Sequence, residues 1–450
     1  MADTNAVNSQ AEPQVTMRES SQTIPESSDE NEPVFIDPDL EFIQTLRKRG
    51  VDTYKKCMQC GTCSATCEIS PDFEPFPRKE MSWASWGMKE RLMADPDVWL
   101  CYHCNDCSTQ CPRGANPGDT LAVIRQESIQ HWAFPRFLAR WVNEPQSILL
   151  LLGIPTALLL LALALKVPIE EALGIIPRMG DRIVYPYSSV FPHWLLISFF
   201  LFFSFLSLGL GMIGIGRFWR AMKKAFPPDR YAAPGKGLFQ STLVTLKNIF
   251  THDDFAKCNK SFSRTWSHMS VFFGFTALSL VALWIITGRI NPFMQGDFVY
   301  PFSFLSPWKI LANVGGIALL VGIGLMIVDR FKIKEETSIG NYFDWMLIAT
   351  ILLIVITGYA TEALHYYRLE PHRHLAYFVH LVLVLGLILY LPYSKLAHMF
   401  FRTTALIYAE YSGRKAELSK TEIAIQENAE QNTDQSTTEP QAAAAKAANS

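Results

Sequence analysis

From Ile148 onward the chain alternates long apolar runs with polar stretches. Six runs stand out: Ile148–Leu165, Trp194–Ile215, Met269–Thr287, Ile310–Val328, Trp345–Thr361 and Phe378–Phe400. Each is close to the ~20 residues that an α-helix needs to cross the hydrocarbon core of a bilayer. Backbone polar groups are satisfied there only within helices or closed barrels, and runs of this length are not barrel strands. The pattern predicts six transmembrane helices. Between the second and third runs, Phe239, Leu243, Leu246 and Phe250 recur at helical spacing, as expected of a helix along the membrane surface or of an ordinary connecting helix.

The pattern before Ile148 is different. Residues 37–147 mix charged, aromatic and apolar positions as a small soluble domain does. Residues 1–36 are polar and acidic, with Glu12, Glu19, Glu26, Asp29, Glu30 and Glu32, and show no apolar core of a signal peptide. Residues 411–450 end in a stretch rich in Gln, Glu, Asn and Ala. Such tails bury too little to fold alone. The expected organisation is a disordered tail (1–36), a soluble domain (37–147), a membrane domain (148–410) and a polar, largely disordered tail (411–450). The expected fold class is mainly α.

Charge orients the membrane domain. The net charge of −2 gives no basic field of the kind that nucleic acid attracts. The loop Gly216–Ser267 carries Arg217, Arg220, Lys223, Lys224, Arg230, Lys236, Lys247, Lys257, Lys260 and Arg264, and the loop after the fourth run carries Arg330, Lys332 and Lys334. The alternate loops are sparser, with Lys166, Arg178 and Arg182, then Arg289, then Arg368 and Arg373. The basic side is expected in the cytoplasm. An even number of spans then puts both termini and the soluble domain inside, in a multi-pass protein of the cytoplasmic membrane.

Eight of the nine cysteines fall in two motifs, Cys57-Met-Gln-Cys60-Gly-Thr-Cys63-Ser-Ala-Thr-Cys67 and Cys101-Tyr-His-Cys104-Asn-Asp-Cys107-Ser-Thr-Gln-Cys111-Pro112. Both have the C-x2-C-x2-C-x3-C spacing of two-cluster ferredoxins, in which the fourth cysteine of each motif serves the other cluster. This assigns Cys57, Cys60, Cys63 and Cys111 to one [4Fe–4S] cluster, and Cys101, Cys104, Cys107 and Cys67 to the other. Zinc is the rival reading, but zinc knuckles usually pair across a longer gap. Glu68 follows Cys67 where such motifs usually have proline. Cys258 stands alone and reads as a free thiol.

Histidine within a membrane span is costly and points to function. His268 and His398 lie at similar depth at the cytoplasmic ends of the third and sixth runs and are the expected axial ligands of a haem b. His380 precedes His398 by 18 residues. On one continuous helix that is a whole number of turns and roughly 27 Å of rise, so the two would share a face at opposite sides of the membrane. Pro392 lies between them. His380 is the candidate for a second haem, with His193 or His365 as partner. His372 and His374 read as surface residues of the outer loop; His103, His131 and His252 carry no assignment.

Residues from about 50 to 145 resemble the iron–sulfur C subunit of heterodisulfide reductase, through both cysteine motifs and Cys111-Pro112-Arg113. The membrane half resembles the cytochrome b subunits of heterodisulfide reductase and of respiratory nitrate reductase. Their fusion in this order resembles the membrane C subunits of quinone-interacting membrane-bound oxidoreductase (Qmo) complexes. The resemblance implies two heterodisulfide reductase A-like flavoprotein partners, the quinone pool as substrate and adenylylsulfate reductase as the enzyme served in sulfur metabolism. It also implies a haem ligand ten residues after His268, where this chain has Leu278. Glu362 and His365 are candidates for handling quinone protons.

The function expected is electron transfer between membrane quinone and cytoplasmic flavoproteins, in a complex of this kind or in another heterodisulfide reductase-like quinone oxidoreductase. A transporter would need acidic residues near the middle of the spans, which the runs lack. A passive anchor without haem is the remaining alternative.

Overall fold

Six helices are long and apolar enough to cross a membrane. They are α9 (Ile148–Ala172), α10 (His193–Ala225), α12 (Phe262–Ile290), α13 (Pro307–Ile333), α14 (Tyr342–Tyr367) and α15 (His372–Tyr390), with the connecting helix α11 (Leu238–Thr251) between α10 and α12. The computed structural model describes residues 37–415, apart from 72, 173–186, 188–189, 232–234, 253–261, 292, 294–301, 334–341 and 370. No strand occurs among the described residues. Cys258, Arg178, Arg182, Lys257, Lys260, Lys334 and the tails 1–36 and 416–450 lie outside them.

Most of these helices outrun their apolar cores. α10 continues through Arg217–Lys224 because nothing in that stretch breaks a helix, and it stops at Ala225, two residues before Pro227. α12 and α13 cross with their backbones close. A Cβ at Gly274 would lie 2.7 Å from the Gly315 carbonyl oxygen, and one at Gly315 would lie 2.9 Å from Ala277 Cβ. Small residues at such crossings allow the van der Waals contact that holds membrane helices together. α14 packs on α15, and α9 and α10 flank α15 through Leu159, Leu195, Leu381 and Leu385.

The sixth run is not one helix to Phe400. α15 stops at Tyr390, residues 391–394 turn, and the Ser394 hydroxyl accepts the Leu396 N–H at 3.2 Å. After a 3-10 turn the chain restarts as α16 (His398–Tyr411). Pro392 has no N–H to give and excludes the helical carbonyl behind it, which is the physical reason for the break. The shared face expected for His380 and His398 is therefore lost: they stand on different helices.

The residues before Ile148 form short helices: α1 (Leu40–Lys48), α2 (Thr62–Ala65), α3 (Arg78–Ser85), α4 (Lys89–Ala94), α5 (Asp97–Leu100), α6 (Asp106–Thr109), α7 (Pro117–Trp132) and α8 (Arg136–Asn143). Their core is continuous with the ends of α10 and α16. Leu92, Val98, Trp99 and Ile124 pack in one cluster with Phe218, Phe226, Phe401 and Tyr408. Trp99 stacks on Phe401 at 5.6 Å and meets Phe218 edge-on at 6.2 Å. The Tyr408 hydroxyl donates to the Phe226 carbonyl at 2.7 Å.

A buried ionic group completes this junction. Arg414, beyond α16, donates to Asp97 through Nη2 (2.6 Å) and Nε (3.0 Å), and to the Glu74 carbonyl at 2.7 Å. Lys79 bonds the same carboxylate, with Glu80 and Asp95 beside it. Burial pushes the Glu80 and Asp95 carboxyls up. Burial would also raise Asp97, but Lys79 and Arg414 together hold it below its ordinary value. Asp97 opens α5, which leads directly into Cys101, so the end of the membrane half fixes the start of the second cysteine motif.

Candidate metal centres

The two cysteine motifs fold into matching cradles. In the first, Gln59 and Gly61 have positive φ (60° and 82°); in the second, His103 and Asn105 do (55° and 68°). These left-handed residues flank the second cysteine of each motif and curl the backbone inward. Short helices α2 and α6 then present Cys63 and Cys107. One hollow is lined by Cys57, Cys60, Cys63 and Cys111, and the other by Cys67, Cys101, Cys104 and Cys107. The structure thus brings together the two sets of four that the spacing paired, each completed by a cysteine from the opposite motif.

The donor sets suit iron–sulfur clusters. Burial and the neighbouring Cys57 push the Cys63 thiol up to about 11, and burial pushes Cys67 up to about 12 and raises Cys107 further. Thiolates crowded in such hollows require compensating cationic charge, which bound iron supplies. Hydrogen bonds already aim at sulfur: from His103 N–H to Cys101 (3.3 Å), from Ala115 N–H to Cys111 (3.3 Å) and from the Gln59 amide to Cys57 (3.2 Å). Such bonds favour the reduced, more negative state of a cluster.

The cradles differ in surroundings. Around the second, three arginines from three elements converge on backbone carbonyls. Arg402 of α16 donates to Leu100 (3.1 Å) and Cys101 (3.2 Å), Arg125 of α7 to Val98 (3.0 Å), and Arg264 of α12 to Tyr102 (2.6 Å). The Arg402 guanidinium also lies 3.7 Å over the Tyr102 ring. His103 Nε2 is 2.9 Å from Asp119. Around the first cradle Cys60 is exposed, and bonds from the Thr62 side chain and backbone pull its thiol down.

His268 and His398 each lie one helical turn from one of these arginines: Arg264 and His268 on α12, His398 and Arg402 on α16. His268 is within electrostatic reach of His398, His252, Arg402 and Arg264. Its Nδ1 is 3.2 Å from His252 Nε2, so His252, given no role from the sequence, stands directly behind a candidate ligand. His398 Nδ1 is 2.5 Å from the Lys395 carbonyl, and burial holds its imidazole down to about 4, in the neutral form that ligates metals. His380 Nδ1 lies 3.1 Å from both the Ile354 carbonyl and Thr357 Oγ1. In all three a partner engages Nδ1, the kind of bond that orients a ligating ring. Imidazoles held in this way are the donor type that haem iron takes as axial ligands.

The structure does not join His380 to its expected partners. Its hydrogen bonds go to α14, and its ring lies over Gly358, 3.2 Å from where a Cβ would stand. His365 is seven residues further along α14, about 10 Å of rise away, with Tyr187 at 5.6 Å. His193 opens α10, with Arg289 within electrostatic range of it. His372 and His374 begin α15 instead of lying in a loop, and the His374 ring is 5.8 Å from buried Tyr187. Glu362 pairs with Lys309 at 2.9 Å.

Sequence reading missed Arg125, Arg264, Arg402 and His252. The four-residue spacing of Arg264 with His268 and of His398 with Arg402 was the available signal, since such pairs share a helix face. What they face was not available.

Two family descriptions match the chain: citrate utilization protein B over residues 144–419, and the 4Fe-4S dicluster domain over residues 53–115. Citrate utilization protein B of Escherichia coli is 28% identical over 375 residues, 78% of this chain and 88% of that protein. The C subunit of the H(2):CoB-CoM heterodisulfide,ferredoxin reductase of Methanothermobacter marburgensis is 31% identical over 90 residues, 20% of this chain and 49% of the relative. A protein of Archaeoglobus profundus that is like the heterodisulfide reductase C subunit is 29% identical over 91 residues, 20% of this chain and 48% of the relative. No solved structure matches. Residues 53–115 are thus a 4Fe–4S segment like the heterodisulfide reductase C subunit, and the heterodisulfide reductase relatives are components of oxidoreductases.

Proposed function

We propose, on the premise that this chain belongs to the citrate utilization protein B family, that it carries electrons between membrane quinone and soluble flavoproteins. The observation that carries this reading is the junction: the second cradle is held by Arg264 and Arg402, each one helical turn from a candidate haem ligand. When bound, the clusters and haem supply one-electron transfer, and quinone supplies paired exchange of electrons and protons.

The chain's own residues then have these roles. Cys57, Cys60, Cys63 and Cys111 hold an outer cluster, and Cys101, Cys104, Cys107 and Cys67 an inner one. His268 and His398 hold a haem b, with His252 and the Lys395 carbonyl orienting their rings. His380 is the candidate ligand of a second haem. Glu362 and His365, at the opposite end of α14, are candidates for proton handling at a quinone. The cytoplasmic orientation is supported by the cysteine domain lying at the end of the bundle that carries Arg217–Lys224 and Arg264.

The likeness of the soluble segment to heterodisulfide reductase supports flavoprotein partners of that kind. Within this reading the complex is of the quinone-interacting membrane-bound oxidoreductase type and serves adenylylsulfate reductase. A second reading assigns the same electron carrier to citrate utilization, and the 78% coverage by the Escherichia coli relative favours it. Proteins that co-purify with the native complex separate the two.

The test is spectroscopic. Protein prepared without oxygen should contain acid-labile sulfide and show b-type haem bands in reduced-minus-oxidised spectra, and His398→Ala should remove at least one haem signal. Unchanged spectra in that variant would refute its assignment. A preparation with clusters but without any b-type band would make the membrane half a passive anchor.

A further inference from the structure

The rim of the first cradle has a composition that electron transfer through the second cradle does not explain. Lys55 and Lys56 end the turn that leads into Cys57, and Arg78 and Arg113 line the hollow itself. All four are exposed, and no carboxylate is among the residues lining this hollow. Among the described residues, none of the four forms an ion pair, although the cations around the junction, Lys79 and Arg414, are paired. Met58, between the first two cysteines, is 57% exposed, and Cys60 is exposed beside it. The second hollow is lined by Glu68, Asp106 and His103 instead, and its backbone is bonded to the membrane half.

We infer that this rim is the docking surface for a soluble redox protein whose face around its own cofactor is acidic. The inference rests on the proposed electron-transfer role and adds the exit and the chemistry of the partner to it. Unpaired cations around an exposed thiolate ligand attract an acidic surface and steer it to the point where electrons leave. Met58 supplies an adaptable apolar contact at the centre of the ring, where a flexible thioether tolerates partners of different shape. The step is one electron from the outer cluster to the partner: the cluster is oxidised by one electron, and the partner's flavin takes up that electron with a proton from solvent.

The experiment uses the full chain in detergent, reduced with dithionite, and two protein probes: flavodoxin, acidic and flavin-bearing, and cytochrome c, basic. Surface plasmon resonance reads binding, and stopped-flow absorbance reads electron transfer. Flavodoxin binding should weaken steeply with salt. Lys55→Glu/Lys56→Glu/Arg113→Glu should weaken it about tenfold or more and slow flavodoxin reduction similarly, while cytochrome c binding strengthens. Arg220→Glu/Lys223→Glu/Lys224→Glu, at the end of α10, should leave both unchanged. Iron and sulfide content identifies variants that retain both clusters. Unchanged flavodoxin binding in the first variant, or an equal loss in the second, would overturn the docking surface. A wild-type chain whose clusters are present but cannot be reoxidised by either probe would instead refute electron transfer itself, and the docking surface with it.

Discussion

The two cysteine cradles share a backbone and differ in what covers them. Both turn through left-handed residues on either side of their second cysteine, and both borrow a fourth cysteine from the other motif. The first opens to solvent at Cys60 and is ringed by cations. The second is closed by Arg125, Arg264 and Arg402, which reach its carbonyls from three different elements. The motif therefore sets what each cradle can hold, and its neighbours set where it stands in a chain of carriers. The inner cradle is bonded to the helices that carry candidate haem ligands, and the outer one opens to the solution at Cys60.

Removing one ligand from each cradle is the harshest test of that distinction. Cys101→Ala should lower iron from about eight atoms per chain to about four and leave the outer cluster isolated from haem. Cys60→Ala should lower iron equally, yet leave haem-to-cluster transfer intact. Electron paramagnetic resonance after reduction by quinol discriminates them, and equal outcomes would end the assignment of inner and outer.

The anchoring of the inner cradle comes next. Arg414→Ala leaves buried Asp97 with Lys79 as its remaining cation, so the loss should approach the ~3–5 kcal/mol of breaking a buried pair outright. Thermal or denaturant unfolding should show the loss. Because Asp97 opens α5, the inner cluster's signal should broaden more than the outer one's.

Arg402→Lys is a milder perturbation. It keeps the charge but loses the planar fork that spans the Leu100 and Cys101 carbonyls and stacks on Tyr102. Unmet carbonyls should cost about 1–3 kcal/mol. Redox titration should shift the inner cluster's potential and leave the outer one's in place; a shift in both would mean that the cradles are not separately surrounded.

The smallest expected effect is a pH slope away from both cradles. Burial holds His131 of α7 down to about 4, from an ordinary 6.5. The unfolded chain therefore binds more protons than the folded one between these values, and stability present above pH 6.5 is lost as pH falls toward 4. His131→Gln should flatten the slope in that window, as read from unfolding midpoints against pH.

The six spans, the two cysteine sets and the candidate status of His268, His380 and His398 were legible in the residues alone. Apolar run length and C-x2-C-x2-C-x3-C spacing act over a few residues, and local chemistry dictates their outcome. Even Cys67 and Cys111 could be placed with the cysteines of the opposite motif, whose hollows they line, because the motif carries its own geometry. The break after Tyr390 was half legible: Pro392 was visible, but whether a proline bends a helix or ends it depends on what satisfies the freed groups, here Ser394 and a 3-10 turn. Only the tertiary structure decided which cradle is inner, why Arg264, Arg402 and Arg414 matter, and that His252 stands behind His268. Those relations join residues up to 317 positions apart, and sequence distance carries no record of which surfaces packing brings face to face.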